Sequence, residues 1–277
     1  MKRQIIFSIL LLNAVQVVAQ QDSTASKPQF KLGINYNSGI NYFGRTDSLK
    51  SSAVFPMAEL WFTPDLYVNA APIFVNNAVQ QFEYAGTVAT LGFQHVSDHW
   101  ITGLYAMKPF YPQSSVLVQS ALKGQAGFNL SYLNPVLNLN GGADVKFSDQ
   151  TDIGLTAGVD HTIVLGDATK GVWVIDPSVY AYAGTQHFQQ TYYRRRGGGG
   201  LLNLPRTNER VTEDVQKLNI LAWEASVPVV YSKGNWMLLA TPAYVVPQNL
   251  VEVEGRPDLT EQGENMFYVS LGVKYSF

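Results

Sequence analysis

The feature that most restricts the fold of this chain is a regular alternation of apolar and polar residues over long stretches. Between 267 and 277 every second residue is apolar or aromatic, and most residues between them are serine, glycine or lysine. Successive side chains of a β-strand point to opposite faces, so a period of two predicts a strand with one apolar face. The same pattern is clear at 30–36, 137–147 and 153–165. The chain is therefore predicted to be all-β.

Twelve strands are predicted when the less regular segments are assigned with the same period. They lie near residues 29–42, 53–62, 66–76, 83–95, 100–110, 116–133, 136–147, 151–165, 171–186, 215–231, 235–247 and 266–277. Many are longer than the strands of soluble sheets, and a strand that crosses a bilayer at a tilt needs about 9–11 residues. The predicted fold is a single antiparallel up-and-down transmembrane β-barrel of about 12 strands, with roughly 10 to 14 possible.

The N-terminus has the composition of a secretory signal peptide. Lys2 and Arg3 precede an apolar run that begins at Ile5. The segment ends at Ala19 with the small residues that a cleavage site requires. The run is interrupted by Asn13 and falls short of the roughly 20 apolar residues that a membrane-spanning helix needs. We therefore predict a signal peptide at 1–19 and a barrel domain at 20–277.

The predicted links divide into short and long ones, as they do in bacterial outer-membrane barrels. Short links rich in turn residues lie at 63–65, 96–99, 134–135, 166–170 and 232–234. Long links lie at 43–52, 187–214 and 248–265. The link at 148–150 is short where the alternation of short and long links requires a long one. A barrel of ten strands, or a shifted strand numbering, therefore stays open as an alternative.

Five prolines fall inside predicted strands, where each removes a backbone donor. They predict bulges or misplaced strand ends at Pro56, Pro72, Pro177, Pro228 and Pro242.

Composition excludes several classes of function. The chain has no cysteine, so disulfides, thiolate metal sites and cysteine nucleophiles are excluded. A net charge of -2 and the lack of a base-reading motif argue against a nucleic-acid partner. The four histidines repeat no ligand spacing, so neither a metal nor another cofactor is expected.

Together with the signal peptide and the alternating strands, the ending Tyr275-Ser276-Phe277 resembles that of Gram-negative outer-membrane β-barrel proteins. In that class a terminal aromatic residue, with apolar residues at alternate positions before it, is read by the barrel-assembly machinery. The resemblance implies that Val273, Tyr275 and Phe277 form this assembly signal and that the protein lies in the cell outer membrane. It points to no particular family. The alternative is an exported soluble sandwich, which would need more polar outward faces.

If the apolar faces contact lipid, the opposite faces line a lumen. The predicted lumen-lining residues are Lys31, Asn35, Lys123, Asn129, Asn138, Asp144, Lys146, Asp152, Asp160, Glu224 and Lys274. Both signs of charge occur in similar number, which predicts no strong selection between anions and cations. A barrel of about 12 strands lies between small, side-chain-filled barrels and open porins.

The predicted function is a passive channel or transporter for small polar solutes. The alternative is a structural or assembly component of a surface or secretion complex, with a plugged lumen.

One long link carries three adjacent arginines, Arg194, Arg195 and Arg196. Arginine binds phosphate and carboxylate through two parallel hydrogen bonds, so an anion contact in this outer loop is expected. The expected partners are outer-membrane lipid and surface lipopolysaccharide. The alternative is a solvated loop with no ligand.

His95 and Ser97 stand two residues apart, which places them on one strand face, where a base could activate a nucleophile. The pair faintly resembles the His-x-Ser of outer-membrane phospholipase A and lipid A deacylase. Those families place asparagine after the serine, whereas Asp98 stands here. A lipid hydrolase is therefore the less favoured hypothesis, and the chain is not expected to be an enzyme.

Overall fold

A computed structural model describes residues 28–46, 50–79, 81–112, 122–167, 169–185, 218–250 and 263–277. Over these ranges the chain forms a closed antiparallel barrel of 12 strands. The strands are Gln29–Asn37 (β1), Ser52–Trp61 (β2), Leu66–Asn76 (β3), Glu83–Val96 (β4), Trp100–Phe110 (β5), Gly124–Tyr132 (β6), Asn138–Phe147 (β7), Thr151–Asp160 with Ile163–Asp167 (β8), Gly171–Ile175 with Ser178–Gly184 (β9), Asn219–Ser226 with Val229–Lys233 (β10), Trp236–Pro247 (β11) and Met266–Ser276 (β12). The predicted fold class is confirmed.

The barrel is closed by pairing of its first and last strands, β1 and β12. Leu32 lies opposite Tyr275, and the ladder continues to Asn37 opposite Ser270. Past the ladder, the backbone N–H of Phe277 donates to the carbonyl of Phe30 over 2.9 Å. Closure removes the free edges that an open sheet would present, which is the condition for a sheet to cross a bilayer.

The sequence alternation separates an apolar outer face from a polar inner face. In β1, Phe30 and Leu32 are 41% and 42% exposed, whereas Lys31 between them is 2% exposed. Three outward tryptophans pack against tyrosines on the next strand, with ring centroids 4.7–4.9 Å apart: Trp100 with Tyr132, Trp173 with Tyr231, and Trp236 with Tyr275. An apolar exterior with aromatic residues near its rim is typical of barrels that contact lipid.

The links between strands distinguish the two ends of the barrel. At one end, the short-link end, lie the described link residues 62–65, 97–99, 133–137, 169–170 and 234–235 together with the beginning of β1 and the end of β12. At the other, the long-link end, lie the described link residues 38–46, 50–51, 77–79, 81–82, 111–112, 122–123, 148–150, 185, 218, 248–250 and 263–265. The link 148–150 belongs to the long-link end although it is short, so the alternation of links is regular and the ten-strand alternative is wrong.

The strand prolines mark irregularities inside strands, as predicted. Pro56 and Pro72 face each other where the β2–β3 ladder is interrupted between Val54 and Ala58. The others lie on one line across β8 to β11, here called the proline break, which comprises His161–Thr162, Asp176–Pro177, Val227–Pro228 and Pro242.

At each junction of the proline break one backbone bond remains, with a proline carbonyl as the acceptor. His161 donates to Pro177, Asp176 to Pro228 and Val227 to Pro242, over 3.1, 2.9 and 3.0 Å. Because proline has no N–H, it cannot donate a second hydrogen bond back to the neighbouring strand. The ladder of paired backbone hydrogen bonds is therefore interrupted at each junction.

The link after β1 folds into the barrel instead of away from it. Residues Asn41–Tyr42 and Arg45–Thr46 pair as a small hairpin, called the inward hairpin. Its turn residues Phe43 and Gly44 have φ of 54° and 75°, the combination of a type I′ turn. Positive φ is unfavourable for a phenylalanine, so tertiary packing must hold this turn.

That packing joins the inward hairpin to the inner faces of β9 to β12. Tyr42 and Phe43 are 3% and 1% exposed, and they pack with Tyr180, Tyr182, Leu221, Ala222, Ala243, Val245 and Tyr268. Just before the hairpin, Ile40 joins a second apolar cluster with Ala53, Phe55, Ile73, Val75 and Ala85 on β2 to β4. The interior at the long-link end therefore contains two apolar clusters, one on each side of the inward hairpin's start.

Candidate functional site: the polar interior of the barrel

Most side chains predicted to line the lumen lie on the inner face. Those buried there are Lys31, Asn138, Asp144, Lys146, Asp152, Asp160, Glu224 and Lys274. Asn35 and Asn129 are half-buried on the same face. Lys123 does not share this position: it is 57% exposed and pairs with Asp149 at the long-link end over 2.9 Å. The alternation does not reach Lys123, because β6 begins one residue later at Gly124.

A basic cluster lies near the short-link end, where β12, β1 and β2 meet. Lys274 donates from Nζ to Glu59 Oε1 over 2.8 Å, and Trp61 Nε1 donates to Glu59 Oε2 over 3.2 Å. Lys31 Nζ lies 4.7 Å from the centroid of the Trp61 ring, within the range of a cation–π interaction. Two lysines thus share one glutamate, and the glutamate neutralises one of the two charges.

A second ion pair lies on β7, towards the long-link end. Lys146 Nζ is 2.8 Å from Asp144 Oδ2, and the same oxygen accepts from Gln125 Nε2 over 3.0 Å. Gln125 Nε2 also lies 2.9 Å from the hydroxyl of Tyr105 on β5. Lys146 and Asp144 are both 2% exposed, and burial of such a pair is tolerated because each charge faces its partner.

A network of carboxylates and neutral donors lies on β7 to β9, beside the proline break. Asn138 Nδ2 donates to Asp160 Oδ2 over 2.6 Å and to Thr162 Oγ1 over 3.1 Å. Asn140 Nδ2 donates to the other oxygen of Asp160. The Thr162 hydroxyl donates to Asp176 Oδ1 over 2.9 Å. Asp176 takes part because it continues the alternation of buried side chains from Val174 to Ser178, so it faces the interior.

These groups belong to one belt of buried polar side chains, here called the polar belt. Its members on β1 to β4 and β6 to β12 are Lys31, Glu59, Asn69, Thr90, Gln94, Gln125, Asn138, Asp144, Lys146, Asp152, Thr156, Asp160, Asp176, Ser178, Glu224, Thr241 and Lys274. An apolar cluster of Val174, Val230, Met237 and Leu239 interrupts it on β9 to β11 near the short-link end. The belt is what a polar solute inside the barrel would contact.

Sequence analysis missed Arg45 of the inward hairpin, which is extensively hydrogen-bonded in the interior. Its guanidinium donates to four backbone carbonyls, those of Phe43, Leu221, Gln248 and Asn249, over 2.9–3.2 Å. Arg45 is 1% exposed, and the bonds join the hairpin to β10 and to the link after β11. The signal in the sequence was the run Asn41-Tyr42-Phe43-Gly44-Arg45, which is too aromatic for a solvated loop.

His95 and Ser97 do not form a catalytic pair in this structure. His95 Nδ1 lies 3.4 Å from Asp65 Oδ1, and both side chains are exposed at the short-link end. The Ser97 hydroxyl donates to the carbonyl of Trp100 over 3.1 Å. Each side chain is therefore engaged by a different partner.

The other predicted site residues lie at the barrel rim or outside the described ranges. Val273 and Phe277 are exposed on the outer face, and the Tyr275 ring packs 4.8 Å from that of Phe277. Arg194, Arg195 and Arg196 fall outside the described residues.

Within the described ranges, no three His, Asp or Glu side chains are grouped as metal ligands. No helix in those ranges is long and apolar enough to cross a membrane.

Comparison with known families and proteins gives no match by sequence. No family model matches the chain, and no curated protein matches it.

Solved structures resemble it in overall shape only. The KdgM porin aligns with a TM-score of 0.48 and 11% identity, over 90% of this chain and 99% of that one. An outer membrane channel from Pseudomonas putida F1 aligns with a TM-score of 0.46 and 8% identity, over 93% and 98%. LpxR from Salmonella typhimurium aligns with a TM-score of 0.44 and 9% identity, over 88% and 99%. The chain is a closed 12-strand antiparallel β-barrel, and no narrower family is assigned to it.

Proposed function

We propose that the protein is a channel of the cell outer membrane for small polar solutes. The observation that carries this proposal is the polar belt inside a closed barrel whose outer face is apolar. A barrel with this division of faces satisfies its backbone in lipid and offers polar solutes a route that avoids the hydrocarbon. On this proposal, membrane lipid is the partner of the outer face, and the barrel-assembly machinery inserts the protein.

The passage would be narrow. Charged members of the polar belt such as Glu59 and Lys146 are 1% and 2% exposed, and the inward hairpin fills part of the long-link end. Small barrels are filled by their own side chains, whereas wide ones leave an aqueous channel. We therefore expect solutes no larger than small ions and simple polar molecules.

A second candidate is a barrel with a plugged lumen that acts as a structural or assembly component. The bonds of Arg45 favour it, because a guanidinium bound to four carbonyls fixes the inward hairpin in place. Burial of Phe43 adds about 2 kcal/mol to that attachment.

Planar-bilayer recording of the refolded full chain separates the two candidates. The folded barrel is first identified by its heat-modifiable migration on a gel. Discrete current steps in KCl would support the channel. A folded protein that passes no current at any voltage would overturn it and leave the plugged barrel.

A further inference from the structure

Two buried aspartates contact each other inside the barrel, at the β8–β9 junction of the proline break. Asp160 ends the first segment of β8, and Asp176 lies between the two segments of β9. They are 5% and 3% exposed, and their carboxyl groups are hydrogen-bonded to each other. Two carboxylates in contact at a buried site cannot both stay ionised, so the contact requires a proton between them.

The donors around the pair are neutral. Asp160 accepts hydrogen bonds from the side-chain amides of Asn138 and Asn140. Asp176 accepts one from the hydroxyl of Thr162 over 2.9 Å. Within the described part of the chain, neither aspartate forms an ion pair with a lysine or an arginine. These donors orient the two carboxyl groups, and a shared proton is what relieves the repulsion between them.

The directions of the hydrogen bonds indicate which oxygen carries the proton. Both oxygens of Asp160 accept an N–H group, Oδ2 from Asn138 over 2.6 Å and Oδ1 from Asn140. Asn138 Nδ2 also donates to Thr162 Oγ1 over 3.1 Å, so the hydrogen of that hydroxyl is directed to Asp176 Oδ1. Asp160 is therefore the acceptor, and the second oxygen of Asp176 carries the proton and donates it to Asp160.

We propose that Asp160 and Asp176 form a proton-binding site that closes the inner side of the wall at the proline break. With the proton in place, a continuous chain of hydrogen bonds runs from Asn138 through Thr162 to the two aspartates and joins β7, β8 and β9. The backbone contributes one hydrogen bond at this junction. Loss of the proton replaces the last bond of the chain by repulsion between two carboxylates, so the junction weakens as the pH rises.

Other titratable side chains lie around the pair. Among the described residues they are His161 at the break of β8, Tyr180 and Tyr182 on β9, and Glu224 on β10. The Tyr180 hydroxyl lies 3.5 Å from Asp160 Oδ1, its ring centroid is 6.3 Å from that of Tyr182, and Glu224 is its partner in the β9–β10 ladder. His161 Nδ1 is engaged with a backbone carbonyl of a short link over 2.8 Å. Variants of the two aspartates retain all four groups, so a difference from wild type reports the pair itself.

The first experiment is infrared spectroscopy of the refolded full chain in neutral-lipid vesicles at pH 7. Ordinary aspartates and glutamates, with pKa values of about 4, are ionised at this pH, so the carbonyl band of a protonated carboxylic acid reports a held proton. We expect the band in wild type and its loss in Asp176→Asn. The matched control is Asp98→Asn, the same change at an exposed position of a short link, which should retain the band.

The second experiment is urea unfolding between pH 5 and pH 9. Above about pH 4 the aspartates of the unfolded chain have lost their protons, whereas the folded barrel holds one until the pair ionises. The unfolding equilibrium constant of wild type should therefore rise with pH, by at least about tenfold more than that of Asp176→Asn. In that variant the amide of the new side chain can donate to Asp160 at every pH.

Three results would overturn the proton site. They are a wild-type spectrum without the band at pH 7, a band that Asp176→Asn and Asp160→Asn both leave unchanged, and equal pH profiles of unfolding in wild type and Asp176→Asn. If neither variant folds, a wild-type band that does not weaken while the unfolding constant rises with pH would overturn it as well. Neither measurement needs ionic current, so a folded barrel that passes no current would overturn the channel and leave the proton site standing.

Discussion

The two ends of the barrel have the same outer face and different interiors. At the long-link end, the inward hairpin and the residues around Phe55 fill the interior with apolar side chains. Towards the short-link end, the inner faces of β12, β1 and β2 carry Lys274, Lys31 and Glu59. The comparison shows that the alternation of apolar and polar residues determines which side chains face outward. It does not determine which kinds of side chain fill the interior at each height along the barrel axis. On the proposed function, the inward hairpin restricts the passage by size at the long-link end.

The largest expected effect comes from removing the restriction at the long-link end. Replacing residues 41–46 by a short Gly/Ser linker should raise single-channel conductance severalfold, because Tyr42, Phe43 and Arg45 leave the interior together. The same replacement at 78–82, where Val79 and Phe82 are 75% and 63% exposed, is the control and should not change conductance. Equal conductance in both variants would show that the inward hairpin does not restrict the passage.

A second prediction concerns closure at the short-link end. Deleting Phe277 should strongly reduce the amount of folded barrel in outer-membrane fractions, although the residue is 66% exposed and its burial contributes about 1 kcal/mol or less. The reason is that the residue belongs to the predicted assembly signal. Phe277→Trp keeps an aromatic terminus and should restore the amount. Normal membrane levels of the deletion variant would argue against a signal at this position.

A third prediction tests the ion pair that distinguishes the charged end. Lys274→Met should lower the free energy of unfolding by about 3 kcal/mol, because it leaves the buried Glu59 without its main partner. The double variant Lys274→Met with Glu59→Gln should recover most of that loss. The measurement is urea unfolding followed by loss of the heat-modifiable form. A double variant no more stable than the single one would mean that Glu59 is not held by charge.

The smallest expected effect lies outside both interiors. Ser97→Ala removes one exposed hydroxyl bond and should change the free energy of unfolding by about 0.5 kcal/mol or less. Lipase and deacylase assays of wild-type and variant protein should be indistinguishable. Hydrolytic activity in the wild type that disappears in Ser97→Ala would revive the hydrolase hypothesis.

Strand number and face could be predicted from sequence because period-two alternation is a local property of neighbouring residues. The assignment of Asp144 and Lys274 to the inner face followed from that pattern alone, and β2, β3 and β12 were placed to within one residue, whereas β1 ends at Asn37, five residues before its predicted end. Lys123 was misplaced because alternation does not reveal where a strand starts. The pattern gives no position along the barrel axis, so it could not show where polar side chains and apolar clusters lie inside the barrel.

The inward hairpin could not be predicted for a different reason. Its position depends on contacts between Arg45 and the carbonyls of Leu221 and Gln248, which lie far away in the chain. The pairing of Lys274 with Glu59 is equally non-local, since it requires closure of the barrel between β12 and β1. Counting charged residues in the sequence cannot reveal such pairings.

The proline break has a mechanical consequence for the wall. Each of its junctions is held by one backbone hydrogen bond that ends on a proline carbonyl, at Pro177, Pro228 and Pro242. Fewer backbone hydrogen bonds cross this line than cross the continuous ladders, so we expect local opening of the wall to begin here. Asp176 lies on the proline break itself, and the hydrogen bond that Asp176 accepts from Thr162 is therefore formed at one of the less firmly held parts of the wall.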